Sequence, residues 1–287
     1  MRIIRPFALL LPVLFAVQAA AADLVIALKP DKNPEAMLQE RSALTAYLAA
    51  KLGRPVTVIV PLSAAVIQEG LANGTVDLGY VSGTEMVRII DAKAGDLLLA
   101  GEIAGKTSYE SFWVARADST ATSIADLKGK PIAFASKTST SGMLMPLLDL
   151  VEKGLVDRRT PDPESFFGAG NVFYGTGYVS GIERVLSGQA DAAAVSDYVM
   201  LQNKHLQPEQ KAKLKVIQRQ GPVPTHCLAV RSGMGAEERQ ALVAAITAMD
   251  TDAAQLRDKV FTSKLVAVDA TAHLATVRAA LALVSSK

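Results

Sequence analysis

The sequence predicts an α/β protein made of two lobes. Short apolar runs alternate along the chain with amphipathic segments, a pattern typical of βαβ units and a largely parallel sheet. The alternation ends near residue 105 and then starts again, which indicates a second sheet. Beyond residue 230 only helical patterns follow, and such helices must bury their apolar faces against an existing core. We therefore expect the second lobe to be inserted between two parts of the first.

The first lobe is predicted from four apolar runs. Leu38, Leu44, Leu48 and Leu52 recur at helical spacing after the first run, and Gly53-Arg54-Pro55 is typical of a helix end. The predicted elements are strands over 24–28, 56–60, 77–81 and 97–103, with further helices from about residue 63 and over 84–92.

The second lobe repeats the alternation. Its elements, and those that lead out of it, are strands over 109–115, 131–136, 172–174, 190–195, 216–218 and 227–230, with helices from about residue 142 and over 179–186. These patterns place lobe 1 at 23–108, lobe 2 at 109–225, and the return to lobe 1 at 226–287. Two crossovers are expected, near 109–115 and near 222–230.

The N-terminus has the layout of a secretory signal peptide. Two arginines precede an apolar run over 6–17, and small residues over 18–22 offer a cleavage site. The apolar run is shorter than the roughly 20 residues that span a bilayer. We expect residues 1–22 to be removed on export and the mature chain to reside in the periplasm.

Charge and cysteine content exclude several classes of protein. Because the first 22 residues carry two arginines and no acid, the remaining 265 residues hold 28 basic and 28 acidic side chains. This balance is unlike that of a nucleic-acid-binding protein. A single cysteine, Cys227, forms no intramolecular disulfide and is expected to be a buried thiol. We expect a monomer that carries no metal and no cofactor.

Catalytic motifs are missing from the sequence. It has no G-x-S-x-G nucleophile turn, no H-E-x-x-H helix and no phosphate loop ending in G-K-S or G-K-T. The three histidines, His205, His226 and His273, are far apart in the chain. His226 and Cys227 are neighbours on a predicted strand, so they would point to opposite faces and could not share a metal ion. We expect a binding protein and not an enzyme.

A turn rich in hydroxyl groups is the main candidate for a binding site. Thr138-Ser139-Thr140-Ser141-Gly142 follows a predicted strand and opens a predicted helix. Its O–H donors and the unpaired N–H groups of the first helical turn suit an oxyanion, and the partial positive charge of the helix end favours an anion without lysine or arginine. The alternative role of such hydroxyls is ordinary helix capping.

Three segments resemble the phosphonate-binding (PhnD-like) family of periplasmic binding proteins. They are Asp126-Leu127-Lys128-Gly129-Lys130 with the hydroxyl turn at 138–142, Ser63 to Tyr80, and Ser187 to Val195. The resemblance covers nearly the whole mature chain. It implies a type II periplasmic binding protein fold, with two α/β lobes joined by two crossover segments and a ligand cleft between them. It also implies capture of a small oxyanion, of the phosphonate, phosphite or phosphate type, for an inner-membrane ABC permease.

The resemblance also implies which side chains contact the ligand. Ser139, Thr140 and Ser141 would bind the oxyanion from the second lobe. Tyr109 matches a family tyrosine that reaches the cleft from the first crossover, although a half-buried strand tyrosine is the simpler role. Tyr80 lies beside the position of the family's tyrosine in the first lobe.

Two positions depart from the family pattern. Tyr178 stands where the family has a histidine, and His226 stands where it has an acid. The missing carboxylate would be the partner of a ligand ammonium group, so this departure favours a ligand without an amine. The alternative is that His226 packs as an uncharged residue away from the cleft.

Three other functions fit the same architecture. A sulfur oxyanion would suit the same hydroxyl turn, and an exported sensor accessory would present its ligand to a membrane kinase instead of a permease. The effector domain of a LysR-type regulator is disfavoured by the export signal and by the lack of a DNA-binding helix-turn-helix.

Overall fold

The computed structural model describes residues 23–29, 34–202, 205–261 and 263–284. Over these ranges the chain forms two α/β lobes, each built on its own sheet, which confirms the predicted fold class. The expected signal peptide, residues 1–22, lies outside the described residues. No helix within these ranges combines the length and the apolarity that a membrane span requires.

The first part of the chain builds most of lobe 1. In chain order its elements are β1 (Leu24–Leu28), α1 (Pro34–Leu52), β2 (Val56–Ile59), α2 (Ala64–Asn73), β3 (Leu78–Val81), α3 (Gly83–Asp91) and β4 (Gly95–Glu102). β1 lies between β2 and β3 and is parallel to both, as βαβ units require. Leu44 and Leu48 of α1 are fully buried, whereas Leu38 is half exposed, so the helical spacing marks the buried face only in part.

The middle of the chain builds lobe 2. Its elements are β5 (Ser108–Arg116), β6 (Ile132–Phe134), α4 (Met145–Glu152), α5 (Glu164–Phe167), β7 (Val172–Tyr174), α6 (Tyr178–Leu186), β8 (Ala192–Ser196), α7 (Asp197–Leu201), α8 (Pro208–Lys211) and β9 (Leu214–Pro224). The strand order is β7-β6-β8-β5-β9, with β6 parallel to β7 and β8, and β5 antiparallel to β8 and β9. Trp113 of β5 is buried against Phe134 and Phe167 at the centre of this lobe.

The last part of the chain completes lobe 1. Its elements are β10 (Cys227–Arg231), α9 (Ala236–Thr247), α10 (Met249–Asp252), α11 (Ala254–Val260), β11 (Lys264–Val266) and α12 (Ala270–Val284). β10 enters the sheet between β3 and β4, antiparallel to both, and the strand order is β11-β4-β10-β3-β1-β2. Cys227 of β10 is buried, as expected.

Two expectations for the C-terminal part need correction. We expected helices alone after residue 230, but β11 pairs with β4 at the edge of the sheet. Three residues are too few to show a period of two in the sequence. The helices were expected to return to lobe 1, and α12 does pack on α3 of that lobe, but it also contacts α4 and β9 of lobe 2.

Two short links join the lobes. The chain passes from β4 to β5 over residues 103–107 and from β9 to β10 over residues 225–226. The crossovers predicted at 109–115 and 222–230 therefore lie mainly inside strands. The apolar runs predict strands that are too short, because β5 and β9 stay paired as far as Ser108 and Pro224.

Hydrogen bonds tie the two links to each other. The Thr225 amide and hydroxyl both lie 3.1 Å from the carbonyl oxygen of Thr107, and the hydroxyl also lies 2.6 Å from the carbonyl oxygen of Gly101. The Gly101 amide in turn donates to the carbonyl of His226 at 2.9 Å. Nε2 of His273 on α12 lies 3.2 Å from the carbonyl oxygen of Thr225. The junction is therefore held by groups from three separate parts of the chain.

Removing the Thr225 hydroxyl should destabilise the protein. Thr225→Val keeps the shape of the side chain but removes a donor from the buried carbonyl oxygen of Gly101 and the partly buried one of Thr107, at a cost of about 1–3 kcal/mol. Urea unfolding followed by circular dichroism measures it. Thr247→Val is the control, because that hydroxyl bonds back to the carbonyls of Val243 and Ala244 within α9, and its loss should change the free energy of unfolding by less than about 0.5 kcal/mol. Equal effects of the two substitutions would contradict the role given to Thr225.

Candidate functional site

Loops from both sheets meet in a cleft between the lobes. Each follows the carboxyl end of a strand: β3 leads into α3, β6 into the hydroxyl turn, β7 into α6, and β8 into α7. The carboxyl ends of parallel strands lie at one edge of a sheet, so these loops are brought together. The residues that line this cleft include Lys29, Glu85 and Glu102 from lobe 1 and Ser136, Thr138 and Thr176 from lobe 2.

The hydroxyl turn is buried and begins a helix, as the sequence predicts. Ser139 caps it by accepting a hydrogen bond from the Gly142 amide at 3.0 Å. Residues Thr140–Leu144 form one π-helical turn that continues into α4. Ser139, Thr140 and Ser141 are each at most 2 % exposed. The capping role therefore applies to Ser139, whereas the hydroxyls of Thr140 and Ser141 contact groups from other parts of the cleft.

The Ser141 hydroxyl joins two tyrosines that are distant in sequence. The Tyr109 hydroxyl donates to Oγ of Ser141 at 3.1 Å, and the Tyr178 hydroxyl lies 2.8 Å from the same atom. All three side chains are buried. Burial, together with the nearby Tyr178, raises the pKa of Tyr109 well above its ordinary value. Tyr109 therefore remains a proton donor at physiological pH.

The Thr140 hydroxyl meets the start of α3 in the other lobe. Its Oγ1 accepts from the Thr84 amide at 2.9 Å and lies 2.9 Å from the Thr84 hydroxyl. Ser82, the N-cap of α3, donates from its hydroxyl to the carbonyl of Thr138 at 3.3 Å. Two helix starts, one from each lobe, thus face each other across the cleft. Both present N–H groups and a partial positive charge to the same place.

Aromatic rings surround the hydroxyl cluster on the side of the links. The buried ring of His226 stacks between Tyr80 and Tyr109, with ring centroids 5.5 and 6.3 Å away. Tyr198 packs against Tyr109 at 5.7 Å and against Tyr178 at 5.8 Å. The structure therefore brings Tyr109, Tyr178 and His226 together at one site.

Tyr80 is the sequence-predicted residue that differs from the rest. Its hydroxyl donates to the carbonyl of Phe261 at 2.5 Å, which directs that group into the core of lobe 1. Its ring stacks on His226. The binding contact predicted for Tyr80 therefore does not involve this hydroxyl, and it stays a prediction.

Several site residues were missed by sequence reasoning. Ser82 and Glu85 form a capping box at the start of α3, and the S-x-x-E spacing was a usable signal for this helix start. Tyr198 gave no signal, because its place depends on how the sheet of lobe 2 pairs.

A polar relay beneath the hydroxyl turn was also missed. Nε2 of Gln220 donates to Oγ of Ser111 at 2.7 Å, and that hydroxyl donates to the carbonyl of Ser141 at 2.6 Å. Ser111 is fully buried and Gln220 nearly so. Ser111 on β5 pairs directly with Gln220 on β9. The register of the two strands shifts between Tyr109 and Ser111, and this shift sets that pairing. The relay holds the backbone of the turn from behind.

The amino-acid sequence also matches a known family over most of its length. Residues 26–272 match the family model described as ABC transporter, phosphonate, periplasmic substrate-binding protein. The chain belongs to this family. The expected resemblance is confirmed, and with it a binding function in place of an enzymatic one.

One related protein is distantly similar in sequence. The chain is 24% identical over 223 residues to the phosphate-import protein PhnD of Mycolicibacterium smegmatis, an alignment that covers 75% of this chain and 68% of that protein.

Two solved structures share the fold. PhnD1 of Prochlorococcus marinus, in complex with methylphosphonate, superposes with a TM-score of 0.79 at 17% identity, covering 92% of this chain and 99% of that one. A binding-protein component of a phosphonate ABC transporter from Pseudomonas aeruginosa gives a TM-score of 0.78 at 21% identity, covering 90% and 85%. These likenesses confirm the type II periplasmic binding protein fold of the phosphonate-binding family.

The polar relay should appear as coupling between Ser111 and Gln220. Ser111→Ala leaves two buried groups unpaired and should cost about 1–3 kcal/mol of unfolding free energy. In Ser111→Ala combined with Gln220→Leu the loss should be smaller than the sum of the two single losses by about 0.5–3 kcal/mol. Urea unfolding of the unmodified protein, the two single variants and the double variant gives this coupling energy.

Gln218→Leu is the matched control, because Gln218 lies on the same strand but bonds to Asp149 and not to Ser111. Its effect should add to that of Ser111→Ala within about 0.5 kcal/mol. Additive losses for Ser111 and Gln220 would mean that no such relay operates.

Proposed function

We propose that the protein captures a small phosphonate- or phosphate-type oxyanion without an amine group in the periplasm and delivers it to an inner-membrane ABC permease. The observation that carries the proposal is the meeting of the Ser141 and Thr140 hydroxyls with Tyr109, Tyr178 and the start of α3. Every one of these groups is a hydrogen-bond donor suited to an oxyanion.

Neutral donors suffice for an anion at this site. The contacts between hydroxyls seen here are bonds between uncharged groups, whereas bonds to an ionised oxygen are roughly twice as strong. A ligand oxygen that takes the place of Oγ1 of Thr140 on the Thr84 amide would also gain from the positive end of α3. The ligand would thus join the two lobes where their helix starts face each other.

The preference for a ligand without an amine rests on the surroundings of His226. The family's acid is replaced by an imidazole that is 5 % exposed and stacked between two tyrosine rings. An ammonium group placed there would lose its water shell without gaining a carboxylate partner at this position. The related proteins agree, since one is named for phosphate import and another is in complex with methylphosphonate.

Export and assembly complete the proposal. The charged start, apolar run and small residues over 18–22 support removal of residues 1–22 on export. We place the mature protein free in the periplasm as a monomer, with the permease as its partner and no contact with nucleic acid.

Alanine at the hydroxyl turn should weaken oxyanion binding. A hydrogen bond to a charged oxygen contributes about 1.5–3 kcal/mol, so Thr140→Ala or Ser141→Ala should raise the Kd for methylphosphonate or phosphate by about one to two decades. Isothermal titration calorimetry measures it. Thr122→Ala is the control, because its hydroxyl bonds to Asp126 on an exposed turn. An unchanged Kd in both site variants, with the fold intact, would place the site elsewhere.

The presence of His226 in place of the family's acid should determine whether the protein prefers ligands with or without an amine. We expect methylphosphonate to bind more tightly than aminoethylphosphonate, because desolvating an ammonium beside His226, with no carboxylate at position 226, costs several kcal/mol. His226→Asp should move the preference toward the amine by restoring a partner for it. Titration calorimetry gives the Kd of both ligands for the unmodified protein and for His226→Asp. Tighter binding of aminoethylphosphonate by the unmodified protein would show that another group accepts the ammonium.

A further inference from the structure

Glu85 places a buried carboxylate at the edge of the proposed site. It lies in the first turn of α3, is 6 % exposed, and lines the cleft together with Ser136 and Thr138 of lobe 2. A carboxylate beside an anion site is unexpected on electrostatic grounds, since like charges repel strongly where water is excluded.

Both oxygen atoms of Glu85 are bonded to uncharged donors. Oε2 accepts from the Ser82 amide at 2.8 Å, which completes the capping box, and Oε1 accepts from the Thr138 hydroxyl at 2.9 Å. Among the ion pairs of the described ranges, none includes Glu85. The pKa of the Cys227 thiol is raised by burial and, to a smaller extent, by the charge of Glu85. The carboxylate of Glu85 is therefore close to the core, and the donors bonded to it are uncharged.

The carboxylate is adjacent to the groups that would bind the oxyanion. Glu85 follows Thr84, whose amide bonds to Oγ1 of Thr140, and its own partner Thr138 precedes Thr140 by two residues on the hydroxyl turn. Each carboxylate oxygen can accept two hydrogen bonds, and the structure shows one at each. Oε1 can therefore accept a second hydrogen bond in addition to the one from Thr138.

We propose that Glu85 is a specificity-determining residue, which accepts a hydrogen bond from a protonated oxygen of the ligand. This inference rests on the proposed function. A protonated ligand oxygen can donate a short O–H···O⁻ hydrogen bond to the Glu85 carboxylate. An oxyanion of the same shape without a proton has no hydrogen to donate, and it is repelled by the carboxylate. The protein thereby selects phosphonates, phosphite or phosphate that keep one proton and rejects sulfonates and sulfate.

Methylphosphonate and methanesulfonate form a matched pair for the test. At mildly acidic pH both are monoanions of nearly the same shape, but only methylphosphonate retains a proton on oxygen. Titration calorimetry on the unmodified protein should give a Kd for methanesulfonate about ten- to a hundredfold higher, the effect of one hydrogen bond to a charged group. A ratio near one would overturn the inference.

Glu85→Gln separates the proposed role from helix capping. Glutamine also serves in a capping box, so the start of α3 should persist and thermal unfolding should change little. The amide can donate to a sulfonate oxygen, so the Kd ratio should fall at least about tenfold, mainly through tighter methanesulfonate binding. Glu183→Gln is the control, because Glu183 is an exposed carboxylate at the same cleft and its removal should leave the ratio unchanged.

The outcomes distinguish this inference from the proposed function. If Glu85→Gln binds both ligands with the ratio of the unmodified protein, Glu85 has only its capping role. If the unmodified protein binds neither methylphosphonate nor phosphate, the proposed function itself fails. Should Glu85→Gln not fold, Thr138→Val gives a second measurement, since it removes the donor to Oε1 and should raise the ratio; a lowered ratio would count against the inference.

Discussion

The structure of the cleft depends on one constraint, the need of two helix starts for hydrogen-bond acceptors. The first N–H groups of a helix have no partner within it, and here the starts of α3 and of the hydroxyl turn face each other from different lobes. The contact between the Thr84 amide and Oγ1 of Thr140 satisfies one such donor with a side chain from the opposite lobe. Both helix starts follow β-strands, so the sheet topology of each lobe is what brings them to the same place.

This constraint explains how the proposed anion site is built from uncharged donors among the described residues. Hydroxyls and backbone amides of Ser141, Tyr109, Tyr178 and Thr84 supply the donors, and burial keeps Tyr109 protonated. The relay from Gln220 through Ser111 fixes the carbonyl of Ser141, so the backbone of the turn cannot rotate freely. Preorganised dipoles of this kind lose little energy to rearrangement when a ligand arrives. In the proposed function they leave selectivity to geometry and to the buried carboxylate of Glu85 at the edge.

The sequence predicted those features that depend on local patterns. The βαβ alternation, the two sheets, the capping of the hydroxyl turn and the burial of Cys227 each follow from a few consecutive residues. Features created by long-range pairing were missed. β11 is too short to show a period, the pairing of Ser111 with Gln220 depends on a neighbouring register shift, and the links are shorter than predicted because pairing extends β5 and β9. The position of Glu85 opposite Thr138 depends on how the two lobes meet, which no local pattern encodes.

The aromatic residues lie next to the links between the lobes, whereas the hydroxyl turn lies within lobe 2. Tyr109 follows Thr107 by two residues, and His226 follows Thr225, and these two link residues are bonded to each other. A rotation at the links therefore leaves Tyr109 beside His226, because both rings are fixed next to the pivot. The same rotation separates Thr84 from Thr140, since each is carried by the sheet of its own lobe. The aromatic residues thus stay together beside the links, and in the proposed function the contact that a ligand would complete is the one between the two helix starts.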